Sequence, residues 1–377
     1  MADKKFPVHY ANFVCHFGEA ELLDYLDEIV IPAFTGGGVR TFKDGTYRLN
    51  SVEVLDLGTT KAHPELAICG RFIKDMIVRS EQRYDARTDT VVPDNKMMET
   101  APSAIFALLL ASHKLIYLSE TAHAPGLESF RSTISSLLSK ARIAYIDDVN
   151  MRSSMGALTN EETARFPGVT EADASDEDEA MLEITGIEDG MPRKLTKKRM
   201  RELLPPADLE ILALSNDEEL RAFVSRFKTL QSATLRLIKP NSELDNDDFL
   251  AQMRGKANMA GSQTSSLVYR NPDGLNKAQI VAQFETAASE GNTEIKLDGK
   301  DAVGQTLRGS NNEFKVVSYL TSLPGGVLLT ARAMFSVFKQ QRASGLIKAP
   351  DHELNDRAKL RLTMLASRFP NAGDGGA

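Results

Sequence analysis

Two apolar runs broken only by Ser112-His113-Lys114 constrain the fold more than any other feature of this chain. They lie in SAIFALLLASHKLIYLSE, residues 103–120. The longest uninterrupted stretch, AIFALLLA, falls far short of the ~18 residues a membrane helix needs. The segment reads instead as two apolar strands joined by a short turn near Ser112-His113. At 42 % apolar and 26 % charged residues the chain can bury a sizeable core around such strands. Its 377 residues predict two or three domains.

Helices and strands are interspersed on either side. GEAELLDYLDEIVIPAF (18–34) has apolar Leu22, Leu23, Leu26, Ile29 and Val30, which predicts an amphipathic helix stopped near Pro32. In GVRTFKDGTYRLNSVEVLDL the pair Asp44-Gly45 between β-rich runs signals a two-residue hairpin. ELAICGRFIKDMIVRSEQRYD reads as one long strand or two. PGLESFRSTISSLLSKARIAYID is a helix with Leu127, Phe130, Ile134, Leu137 and Leu138 on one face. From about Met151 to Ala180 the chain turns polar and then acidic, which predicts a loop or linker. Beyond it, PPADLEILAL is a strand, and SNDEELRAFVSRFKTL is a helix capped by Ser215 or Asn216 with acids in its first turn. SATLRLIKP is a strand, NDDFLAQMRGKANMAGS a helix, SSLVYRNPDG a strand and turn, LNKAQIVAQFETAAS a helix and TEIKLDGKD a strand. Two amphipathic helices follow, in LLTARAMFSVFKQQRAS and DHELNDRAKLRLTMLASRF. The expected fold is α+β, with two mixed domains, antiparallel sheets and a helical C-terminal tail. Its predicted divisions are an N-terminal domain 1–150, an acidic linker or loop 151–180, a second domain 181–320 and C-terminal helices 321–370.

Most familiar chemical motifs are missing. Cys15 and Cys69 do not form a CxxC pair, which leaves structural zinc and a disulfide framework unsupported and points to a reducing cytosol. The stretch MADKKFPVHYANF has no apolar h-region, so a cytoplasmic protein without direct membrane insertion is expected. TGGGVR (35–40) matches neither phosphate-loop pattern and reads as a flexible turn. None of the six histidines stands in a metal-binding or nucleophile–base pattern, so no cofactor or metal is expected. Asp273 of NPDG lies about twenty residues before Glu294-Ile295-Lys296. That spacing loosely fits nucleases in which two carboxylates hold Mg²⁺ and a lysine stabilises developing charge. The bland alternative is a turn aspartate and an exposed strand of alternating charge.

RKLTKKRMR (193–201) is the most basic stretch, although the chain carries a net charge of −7. On a helix Arg193, Lys194, Lys197, Lys198 and Arg201 form one stripe, and Arg199 joins them as a candidate phosphate contact. Arg254 and Lys256 in MRGKANMAGS, together with Arg236, Lys239, Arg270 and Lys277, add basic groups downstream. Such residues suit phosphate contacts, whose affinity falls with salt. The absence of tryptophan and of any aromatic-rich motif speaks against base stacking. The competing reading is a solvated helix balancing the acidic run 171–179.

Four segments carry a family likeness: RKLTKKRMRELLPPADLEILAL, FKTLQSATLRLIKPNSELDNDDFLAQM, SSLVYRNPDGLNKAQIVAQF, and APSAIFALLLASHKLIYLSETAHAPGLESF. In element order they resemble the RexA-type phage-exclusion proteins and the related KwaB-like antiphage proteins. The resemblance implies a two-domain α+β protein. It implies a homodimer that binds double-stranded DNA through its backbone with little sequence preference. It also implies a non-enzymatic sensor or effector role in defence against phage, with a second defence or phage protein as a further partner. The acidic run 171–179 and the helices beyond about Ala349 lie outside the resemblance. A Mg²⁺-dependent nuclease built on Asp273, Glu294 and Lys296, and a pure protein-interaction module, are the rival expectations.

Overall fold

The structure is a computed structural model that describes residues 5–42, 45–58, 65–166, 197–239, 248–262, 264–290, 292–347, 354 and 356–368. The chain begins with β1 (Phe6–Phe17), β2 (Ala20–Glu21), a 3-10 turn (Leu22–Tyr25), a π turn (Leu26–Val30) and α1 (Ile31–Thr35). Strands β3 (Val39–Phe42), β4 (Gly45–Asp56), β5 (Leu66–Arg79), β6 (Gln82–Asp85), β7 (Thr90–Pro93), β8 (Met97–Thr100), β9 (Ser103–Leu109) and β10 (Lys114–Ser119) follow. Then come α2 (Leu127–Ser154), α3 (Asn160–Arg165), α4 (Lys197–Leu203), β11 (Asp208–Ala213), α5 (Asp217–Ser225) and β12 (Phe227–Leu237). The chain continues through α6 (Asp248–Met259), β13 (Ser265–Arg270), α7 (Lys277–Glu290), β14 (Thr293–Asp301), β15 (Thr306–Ser310), β16 (Val317–Leu320), α8 (Gly326–Ala343) and α9 (Asp356–Arg368). The architecture is α+β with antiparallel sheets, as the sequence predicts. Among the described residues no helix is long and apolar enough to cross a membrane.

Contacts divide the chain into two units. One comprises Met1–Val14, Gly37–Thr133 and Leu209–Ala377; the other comprises Cys15–Gly36 and Ile134–Asp208. The larger unit holds a sheet of order β11-β1-β10-β9-β5-β4-β3, in which β1–β10, β10–β9, β9–β5, β5–β4 and β4–β3 are antiparallel. β16 joins the other edge of β1 by pairing Phe6 with Leu320. Every residue of β9 is buried, and β10 is buried up to Leu118, which is why their sequence is continuously apolar. α8 covers one face with Ala331, Met334, Phe335 and Phe338. On the other face Phe130 meets Phe72, Phe106 and Tyr117 at centroid distances of 5.3, 5.0 and 5.6 Å.

A second sheet in the same unit has the order β13-β12-β14-β15. β14 alternates strictly from Thr293 to Lys300, and its inner residues Ile295 and Leu297 meet Leu220 and Phe223 of α5 and Ile280 and Phe284 of α7. The outer face is polar. α5 starts where the sequence places it, with the Asn216 side chain accepting a bond from the Glu219 N–H.

The smaller unit departs from expectation in its local detail. Leu22, Leu23, Leu26, Ile29 and Val30 are all buried, but on successive 3-10, π and α turns. Pro32 does not stop the run, because it lies in the first turn of α1, where a missing N–H costs nothing. α2 runs on to Ser154, and a capping box of Thr159 and Glu162 starts α3. Helical structure therefore reaches Arg165, where the sequence predicts a loop or linker from about Met151, and the acidic run 171–179 lies outside the described residues. β3 and β4 pair antiparallel with Phe42 opposite Gly45, where the sequence signals a hairpin, and Lys43 and Asp44 lie outside the described residues.

Candidate nucleic-acid interface

The basic stretch is helical where it is described. α4 contributes Met200 to the core of the smaller unit, and Leu204 just beyond it is also buried, while Lys197, Lys198, Arg199 and Arg201 are exposed. A seven-residue helix is marginal alone. Here its last carbonyls are held by Arg142 of α2, whose Nε donates to the Leu204 oxygen at 2.5 Å and whose NH2 donates to the Arg201 oxygen at 2.8 Å. A cation at this helix end satisfies orphan acceptors and complements the dipole. Burial, reinforced by the Arg201 charge, lowers the Arg142 pKa from its ordinary value.

Neutralisation sorts the exposed cations. Lys197 Nζ lies 2.9 Å from Asp147 Oδ1, and Arg199 NH1 lies 2.9 Å from Glu202 Oε2. Among the described residues no carboxylate pairs with Lys198 or Arg201, which stand three apart on one side of the helix. Arg193 and Lys194 lie outside the described residues. Arg254 and Lys256 belong to the other unit, on α6. The Arg254 guanidinium donates to the Ile238 carbonyl at 2.8 Å and so ties α6 to the end of β12, whereas Lys256 is exposed.

Two further basic groups are committed to structure. Arg236 bonds Glu294 at 2.8 Å and Glu210 at 3.1 Å, and Lys277 Nζ donates to the Phe227 carbonyl at 2.7 Å. Burial alone would lower the Arg236 pKa; the two carboxylates outweigh it and leave it raised. Arg270 is exposed on β13, and Lys239 is exposed just past β12.

The carboxylate–lysine constellation does not assemble. Glu294 and Lys296 do meet, at 2.9 Å. The turn carrying Asp273, however, lies beside Gln231 and Leu230, whose carbonyls accept from the N–H groups of Asn271 and Leu275. Glu294 is opposite Arg236. Five residues of β12 separate the two points, about 17 Å at ~3.3 Å per residue. Both Glu294 oxygens are taken, one by Arg236 and one by Lys296, and these bonds hold its pKa below the ordinary value against the opposing effect of burial. Among the described residues no three His, Cys, Asp or Glu side chains come together to hold a metal ion. The open face of this sheet has a shallow pocket of about 390 Å³ lined by Ser232, Thr234, Lys296, Asp298 and Arg308; Asp273 is not part of it.

The sequence did not single out two buried polar groups. Lys114 is 1 % exposed, and its Nζ donates to Asn12 Oδ1 at 3.0 Å; Asn12 in turn donates to Asn292 at 2.7 Å. These bonds link β1 and β10 to the residue preceding β14. Nothing about a lysine opening LIYLS marks it as buried. Glu65, just before β5, has its pKa raised to about 7, mainly by burial, with Asp56 adding to the rise and Arg342 opposing it. No family model matches this chain, and a search of curated proteins gives no match.

Proposed function

We propose that this protein is a non-enzymatic, largely sequence-independent binder of double-stranded DNA, acting as a homodimer in phage exclusion or defence. The observation that carries the binding reading is α4. It is a short cationic helix anchored by Met200 and by Arg142, with Lys198 and Arg201 exposed and unpaired among the described residues. Preorganised cations of this kind neutralise phosphates without first breaking a salt bridge. The role in phage defence rests on the resemblance of the four segments quoted above.

Fluorescence anisotropy with two labelled duplexes of unrelated sequence tests the binding, across a salt series. Each phosphate contact contributes about −0.9 to the slope of log affinity against log salt, so K198E/R201E should flatten the slope by about 2 and weaken both duplexes equally. An absence of binding at low salt, or an unchanged slope in the variant, sinks the proposal.

A further inference from the structure

Residues 76–100 form an antiparallel ribbon that, among the described residues, has no flanking strand. Asp75 is the last β5 residue paired with β4; from Met76 to Arg79 the strand pairs, among the described residues, only with β8. The N–H of Ser80 donates to the Lys96 oxygen and that of Asp94 to the Glu81 oxygen, both at 2.9 Å, so the ladder continues into β6–β7. No side chain described between Met76 and Thr100 is buried. Yet Ile77, Val78, Tyr84, Val91, Met97 and Met98 are 40 to 63 % exposed. A two-stranded ribbon is marginal in water, and a free strand edge is a template for pairing.

The pairing within the ribbon shows which way that edge is set. Pro93 lies opposite Gln82 and has no N–H, so this is a pair of the non-hydrogen-bonded kind. Such pairs alternate with bonded ones, which makes Arg83–Val92 bonded and Tyr84–Val91 non-bonded. The N–H and C=O of Tyr84 therefore point outward, to the open edge of β6. Within β6, Arg83 and Asp85 flank Tyr84 with opposite charges. Among the described residues Arg83 has no acidic partner.

We infer that this edge is a self-association surface whose occupant is β6 of a second copy, paired antiparallel about a two-fold axis at Tyr84. In that register the two Tyr84 residues exchange backbone hydrogen bonds, and their rings lie side by side on the face that carries Val91. On the opposite face each Arg83 meets the other copy's Asp85. An isologous interface requires such self-complementarity. The ribbon carries five acidic residues against four basic ones between 76 and 100, which disfavours nucleic acid as the occupant. The inference shares with the proposed function only the homodimer; it does not depend on DNA binding.

Sedimentation velocity of the full chain, from micromolar to sub-millimolar concentration, tests it. The wild type should dimerise. R83D and D85R each set like charges across the axis and should weaken self-association roughly tenfold or more. An equimolar mixture of the two single variants should form a heterodimer, because each supplies the charge the other lacks, and R83D/D85R should dimerise again. The mixture also separates a lost contact from a misfolded ribbon. A monomeric wild type overturns both this surface and the homodimer of the proposed function. Undiminished dimers in both single variants overturn this surface alone. Monomeric single variants that neither mixing nor the double exchange rescues overturn the charge-paired register.

Discussion

Replacing Glu65 by glutamine should change how the stability of the larger unit depends on pH. The backbone of Glu65 is fixed, its N–H donating to Asp56 Oδ1 at 2.9 Å and its carbonyl accepting from Leu57 at 2.8 Å. The side chain is mostly withdrawn from water, and its Oε1 has no hydrogen-bond partner among the described residues. Burial, with the Asp56 charge adding and Arg342 opposing, raises the pKa from 4.5 to about 7. The folded state therefore holds this proton more tightly than the unfolded chain does. Its contribution is complete below pH 4.5 and is lost as pH rises through about 7. At about 1.4 kcal/mol per pH unit the full loss is about 3.4 kcal/mol, of which about 2.5 kcal/mol falls between pH 5 and pH 8.5. E65Q removes the titration while keeping size and shape. Urea unfolding followed by far-UV circular dichroism is the assay, since the chain has no tryptophan. Relative to the wild type, E65Q should gain about 2.5 kcal/mol on going from pH 5 to pH 8.5. A difference between the two chains that stays flat with pH, or shrinks as pH rises, refutes the reasoning.

Other perturbations have outcomes of definite sign. A Cβ at Gly309 would lie 2.2 Å from the Phe223 ring, so G309A should destabilise the second sheet by about 1–3 kcal/mol in urea unfolding. A Cβ on Gly255, inside α6, meets nothing within 4 Å, so G255A should instead stabilise by up to about 1 kcal/mol. Both cysteine thiols are buried, with burial raising Cys69 to about 12 and Cys15 also well above the ordinary range, so a thiol reagent at pH 8 should react with neither until the protein unfolds. R142M should uncap α4 and weaken duplex binding while leaving the G309A-sensitive unfolding transition in place, a separation visible by anisotropy and circular dichroism side by side.

Where one segment dictated its own structure, the sequence was a good guide. β9 and β10 are apolar on both sides because both sides are buried, and Asn216 caps α5 through its own next turn. Elements stabilised by partners distant in sequence were harder to read. β16 is a four-residue strand held by pairing with β1, and β15 follows β14 with little β-branched content to mark it. The capping box at Thr159 was legible in TNEE, but the polar composition around it suggested a linker. Asp273 and Glu294 share a spacing compatible with a metal site, yet strand register keeps them about five residues of β12 apart.

The candidate cations show the same division, for a chemical reason. An arginine fork or a lysine ammonium that suits a phosphate suits a carbonyl or a carboxylate equally well. A count along the sequence therefore adds together groups in different employment. Arg236 is held by Glu294 and Glu210, Arg254 by the Ile238 carbonyl and Lys277 by the Phe227 carbonyl. Turning any of these to a phosphate would leave a partly buried acceptor unpaired, a cost of about 1–3 kcal/mol that offsets much of what the phosphate returns. Lys198 and Arg201 carry no such cost. If duplex binding resides on α4, charge reversal there should act chiefly on affinity and its salt dependence, whereas R254E should act chiefly on folding, through the lost tie between α6 and β12. An R254E chain with wild-type unfolding and a flattened salt slope would place the binding surface on α6 instead.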